Sequence, residues 1–284
     1  MNQVTVEGKM KSHLEEIYKK AATLYGKHPN VDAVMLAGSV SRKLNDQFSD
    51  IEIYILWDRE PADIDRKEFI KQLNGTVISF YDYEDEEWSE AYHVDGIKIE
   101  VSNFLSSSIR RILKEAAINT VIDIDIQCIA SSVKDGVPLY GESLIKEFKQ
   151  EVEVYPENLR RAMVESQLFF SSRWSARYTF INRKDFFLFQ KVVMDVIEKM
   201  LLMLHGLNGM YVAHPGFKWL SYTLSEMKYK PINLESRIHE IIYSQTMDGV
   251  VDLERLLAET VDLIKIHMPS IDVSSFEKAI KITR

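Results

Sequence analysis

A chain of 284 residues, 46% hydrophobic and 27% charged, is long enough for a sizeable core and has the balance of an ordinary globular protein. Its formal net charge of −8 argues against unspecific binding to DNA or RNA, which depends on Lys and Arg neutralising phosphates, and suits a cationic small molecule. The single cysteine, Cys128, rules out an intrachain disulfide, and its apolar setting predicts a buried, inert thiol.

The first twenty residues lack the apolar centre of a signal peptide and no apolar run approaches a membrane span, so a cytoplasmic protein with no membrane partner is expected. The seven histidines are scattered, which argues against a histidine-based zinc site. From about Lys9, the three-and-four spacing of Leu14, Ile17, Tyr18, Ala21, Leu24 and Tyr25 predicts an amphipathic helix. His28-Pro29-Asn30 ends it.

The stretch Val31 to Trp57 then reads as two strands. The first ends at Gly38-Ser39, where a tight turn could offer backbone N–H groups and a hydroxyl to phosphate oxygens. The second alternates Ile51, Ile53 and Ile55 with Asp50, Glu52 and Tyr54, so both carboxylates project from the face opposite the isoleucines. Two like charges held close favour a cation between them, and hard oxygen ligands favour Mg²⁺ together with substrate phosphates.

A helix from Pro61 to Leu73 and a short strand over residues 77–81 follow. The acidic, aromatic stretch Asp82 to Glu90, with Tyr81 before it, reads either as a solvated loop or as a rim that attracts a cationic sugar or amine. Asp95-Gly96 between two alternating runs signals a hairpin, whose return strand puts Glu100 on its polar face. A helix over 106–118 is expected next. Residues 123–130 then read as a strand, with Asp123 and Asp125 a second same-face pair that lacks a preceding Gly-Ser. The segment from Asp135 to Glu142 reads as a turn, and a short helix runs on to about Gln150.

From Pro156 strand-like alternation gives way to helical patterns over about 157–181, 184–205, 216–228, 233–246, 249–267 and 273–282. The change in texture predicts two domains, 1–152 and 153–284, with no long linker.

Gly38-Ser39, a gap of about ten residues, and Asp50-x-Glu52 within a strand resemble the signature of the nucleotidyltransferase superfamily that includes DNA polymerase beta and the antibiotic nucleotidyltransferases. Glu52 stands where Asp is commoner in that family. Leu207, Asn208, Tyr211, Lys218 and Trp219 are similar to a turn in the helical domain of antibiotic adenylyltransferases. The resemblance implies an α/β nucleotidyltransferase-fold domain with a mixed sheet, followed by an all-α helical bundle. It implies that Asp50, Glu52 and Glu100 bind Mg²⁺, with Glu100 the third carboxylate or the general base. It implies that Gly38, Ser39, Arg42, Lys43 and Lys218 hold the phosphates of ATP or another nucleoside triphosphate. Asp195 and Glu198 are candidates to face the acceptor.

The implied reaction is transfer of AMP to a hydroxyl of a small molecule such as an aminoglycoside or lincosamide, with release of pyrophosphate. The alternatives are a noncatalytic nucleotide-binding protein on the same scaffold, or a protein- or RNA-directed transferase. The charge of −8 and the lack of a basic stripe weigh against RNA.

Overall fold

The computed structural model describes residues 3–244 and 246–283, and the chain divides into two compact units. The first comprises Met1–Asn119 and Ile129–Val154, the second Thr120–Cys128 and Tyr155–Arg284.

In chain order the first unit opens with helix α1 (Gln3–Tyr25), strand β1 (Val31–Ala37), the single helical turn α2 (Gly38–Ser41) and strand β2 (Ile51–Trp57). Helix α3 (Asp63–Gln72), strands β3 (Thr76–Phe80), β4 (Trp88–Val94) and β5 (Ile97–Leu105) and helix α4 (Ser106–Ala117) follow. Helix α5 (Ile124–Asp135) crosses the division of the chain, and strand β6 (Val137–Tyr140) and helix α6 (Glu142–Val152) complete the first unit.

The six strands form one mixed sheet in the order β3-β4-β5-β2-β1-β6. All neighbours are antiparallel except β2 and β5, which α3, β3 and β4 connect as a crossover. The β4–β5 hairpin turns at Asp95 and Gly96, both at positive φ, as a tight two-residue turn requires. Ile51, Ile53, Ile55, Ile99 and Val101 are fully buried together with Leu14, Ile17, Ala21 and Tyr25 of α1 and Phe69 and Ile70 of α3. The alternation of β2 and β5 therefore sends every second side chain into this core and leaves Glu52, Tyr54, Glu100 and Ser102 on the opposite face.

The core face also carries charge. Arg66, wholly buried, donates to Glu90 Oε2 from Nε (2.9 Å) and Nη2 (2.7 Å), and to the carbonyls of Tyr81 and Ser89. Asn103 Nδ2 donates to the same carboxylate while its Oδ1 accepts from Trp57 Nε1 at 2.9 Å. Burial pushes the Glu90 carboxyl upward in pKa against the pull of Arg66.

The second unit continues with α7 (Glu157–Glu165), a short 3-10 turn (Trp174–Ala176), α8 (Arg177–Asn182), α9 (Phe186–Asn208), α10 (Leu220–Glu226), α11 (Leu234–Ser244), α12 (Met247–His267) and α13 (Ser274–Lys281). Gln245, at the end of the expected 233–246 helix, lies outside the described residues. Helix α9 is the axis of the unit: α7, α8, α11 and α12 all pack on it, and from Met200 to Leu207 every residue is buried. Asn208 closes it by donating to the carbonyls of Leu204 and Tyr229 and accepting from Tyr229 N, each at 2.8 Å.

Three segments depart from the sequence expectation. Residues 124–135 are helix α5, not a strand, because Asp123 caps it: its Oδ1 accepts from Asp125 N (2.9 Å) and Ile126 N (3.2 Å). Cys128 lies on that helix and is half-buried rather than buried. Residues 137–140 form edge strand β6 rather than a turn, and Pro138 is tolerated because a sheet edge needs fewer amide donors. The expected helix over 157–181 breaks after Glu165 and resumes at Arg177, with the rings of Phe170 and Trp174 stacked in between.

Candidate functional site

Parallel pairing of β2 and β5 sets Glu52 directly opposite Glu100, and Tyr54 opposite Ser102. Facing partners in a sheet share a side, so the two carboxylates stand together. Asp50 lies one residue ahead of β2 and its Oδ2 is 3.6 Å from Lys98 Nζ, while Lys98 Nζ also donates to Glu100 Oε1. Lys98 thus ties Asp50 to Glu100. The bond to Glu100, and beside it the Asp50 charge, hold the lysine pKa above its ordinary value.

The turn after β1 meets this group from the other side. Ala37 faces Glu52 across the β1–β2 pair, and Gly38 opens α2 at φ +65. The positive φ favours glycine here, and a Cβ on Gly38 would push the Glu52 carboxylate out of its place. Ser39 is buried, its carbonyl accepting from Leu44 N at 2.9 Å, and Ser41 Oγ donates to the Gly38 carbonyl. Arg42, in contrast, donates from Nε to Asp135 Oδ2 at 2.8 Å and from Nη2 to Ser131. Lys43 is exposed at φ +61.

The remaining sequence candidates lie in the helical unit. Lys218 is exposed just ahead of α10. Glu198 is exposed on α9, and Asp195 is 3.6 Å from Lys199 one turn on.

The acidic, aromatic stretch before β4 is anchored rather than loose. Glu86 accepts from Tyr83 and Ser108 and is 2.8 Å from Arg111 of α4, and the Tyr83 and Trp88 rings lie 4.5 Å apart. Glu87 hydrogen-bonds Ser102, which shares its face of β5 with Glu100; burial, with Asp85 and Glu90 adding repulsion, pushes its carboxyl up to about 7. Lys98 and Ser102 are not among the sequence candidates, and Glu87 falls within the acidic stretch read there as a loop or rim. Lys98 was readable there, because it stands two residues before Glu100 on an alternating strand, by the same rule that pairs Asp50 with Glu52.

Carboxylates from neighbouring in-register strands are the right donors for a hard divalent cation. As they stand, no three His, Cys, Asp or Glu among the described residues are gathered tightly enough to hold a metal ion. The cation that Asp50 and Glu100 do hold is the Lys98 ammonium. The chemistry of the set fits a cation, and Lys98 stands in for one.

No helix among the described residues is long and apolar enough to cross a membrane. The model of a family described as a domain of unknown function, DUF4037, matches residues 122–220, a minority of the chain that leaves out β1, β2 and β5. A search of curated proteins finds no match. Among solved structures, the chain is similar to a nucleotidyltransferase-like protein from Exiguobacterium sibiricum 255-15. The identity is 14% and the TM-score 0.32, with 92% of this chain and 89% of that chain covered. So loose a likeness carries no argument about chemistry, and the reading that follows rests on the residues themselves.

Proposed function

We propose that this chain is a nucleotidyltransferase that moves a nucleoside monophosphate, AMP from ATP, onto a hydroxyl of a small cationic acceptor such as an aminoglycoside, or of a lincosamide. The observation that supports it best is the alignment of Glu52 with Glu100 on parallel strands, beside Asp50 and under the Gly38-Ser39 turn. Asp50, Glu52 and Glu100 would hold Mg²⁺. The chemistry it would supply there is neutralisation of phosphate charge on the attacked group and on the departing pyrophosphate.

The chain's own residues do the rest by position. Gly38 and Ser39 receive the outer phosphates, with Lys43 as an added cation, while Arg42 stiffens the turn through Asp135. The acceptor oxygen attacks the α-phosphorus, the bond to the bridging oxygen breaks, pyrophosphate leaves, and the hydroxyl proton passes to a carboxylate, Glu100 in this reading. The acidic stretch around Glu86, with the Tyr83–Trp88 pair, favours a protonated amine on the acceptor.

The test is pyrophosphate release with ATP and Mg²⁺ against a panel of aminoglycosides and lincosamides, with Asp50→Asn as control. Release with one compound, lost in the variant, is expected. Silence across the panel with ATP still bound would move the acceptor to another class of molecule.

A further inference from the structure

Lys98 is the one group in the carboxylate cluster that the reaction as proposed does not use. It lies on β5 two residues before Glu100, opposite His93 of β4, and its ammonium reaches both Asp50 and Glu100. Its side chain is 38% exposed, so the ammonium can leave for water on its flexible stem without being stranded. The oxygens it contacts are the ones a divalent ion would need. Asp50 and Glu100, two carboxylates against one ammonium, leave the pair anionic, so a better cation has reason to enter.

We propose that Lys98 is a built-in competitor for the cation of this site: its ammonium bridges Asp50 and Glu100 and gives way when a divalent ion binds them. The inference rests on the metal reading above and adds a property to it. The protein holds the bare ion weakly, and loads it well only when nucleotide phosphates contribute further oxygen ligands. Removing Lys98 therefore uncouples metal binding from nucleotide binding.

The experiment is titration with Mn²⁺ in the absence of nucleotide, reading free Mn²⁺ by electron paramagnetic resonance, on the wild-type chain, Lys98→Met, Lys98→Arg and Asp50→Asn. Loss of one cationic competitor from a half-exposed cluster should tighten Mn²⁺ binding in Lys98→Met about tenfold. Lys98→Arg, which keeps the charge, should stay near wild type, and Asp50→Asn should bind least. Lys98→Gln is the second neutral variant should the Met form fold poorly. Wild-type affinity in the neutral variants, with Asp50→Asn still weakened, overturns the role of Lys98 and leaves the metal reading standing. No Mn²⁺ binding by any of these proteins overturns both.

Discussion

Among the described residues each unit buries one arginine, and the two are held differently. Arg66 in the sheet unit meets a carboxylate as buried as itself: Glu90 is 2% exposed and is also fixed by Asn103. Arg177 in the helical unit pairs with Glu254, whose side chain keeps 24% of its exposure, and gives its other donors to the carbonyls of Trp174, Ile280 and Ile282. Both arginines also donate to backbone carbonyls, and Arg66 lies 3.4 Å from the exposed Asp63 as well, so the difference is in the main carboxylate: buried beside Arg66, partly exposed beside Arg177. Ionic burial in the sheet unit fixes β4, which Glu87 immediately precedes, and β5, which carries Glu100. In the helical unit it staples the end of α13 to the start of α8.

The comparison breaks most visibly at Glu90. Glu90→Gln leaves a buried guanidinium with only the exposed Asp63 as counter-charge and should cost about 3 kcal/mol in urea unfolding of the sheet unit. A double variant, Arg66→Met with Glu90→Leu, should recover much of that loss, because both desolvated charges disappear together.

The next effect is at His205, buried near the end of α9. Its Nδ1 contacts the Met210 carbonyl at 3.2 Å, and burial lowers its pKa to about 4 from 6.5. The unfolded chain takes up that proton first as pH falls. The helical unit should therefore keep the stability from this group above pH 6.5 and lose about 3 kcal/mol of it by pH 4. Amide hydrogen exchange of α9 against pH checks this, with His205→Gln removing the dependence.

Glu87 should act in the opposite sense. Its folded carboxyl titrates near 7, above the ordinary 4.5, so the fold prefers the protonated form. The sheet unit gains from Glu87 at pH 4.5 and below, and loses about 2 kcal/mol as pH rises through 7, less than the full shift because the group is only half-buried. Exchange at β4 and β5 reads it, and Glu87→Gln should flatten the profile. The smallest effect is Glu254→Gln, expected to cost about 1–2 kcal/mol because Glu254 is partly exposed and water can take its place beside Arg177.

Where structure was legible in sequence, short-range alternation carried the signal. Ile51, Ile53 and Ile55 announce β2, and Asp95-Gly96 announces the β4–β5 hairpin. Asp123 misled because a carboxylate that caps a helix, followed by Ile124, Asp125 and Ile126, imitates the alternation of a strand edge. Strand β6 escaped notice because only its pairing with β1, about a hundred residues upstream, makes it a strand. The gap between α7 and α8 was hidden by Leu168, Phe170 and Trp174, which pack on the same core as the helices do and so continue the apolar spacing. The Arg66–Glu90 pair was not legible at all: each residue reads as a surface charge until tertiary contact buries both.

The central claim is that Asp50, Glu52 and Glu100 form a cation-dependent nucleotide site. Calorimetric titration with ATP, with and without Mg²⁺, on wild type and Asp50→Asn tests it most directly. The account predicts ATP binding that requires Mg²⁺ and weakens at least about tenfold in the variant, the loss of one charged ligand. Binding that ignores Mg²⁺, or that is unchanged in Asp50→Asn, would contradict it.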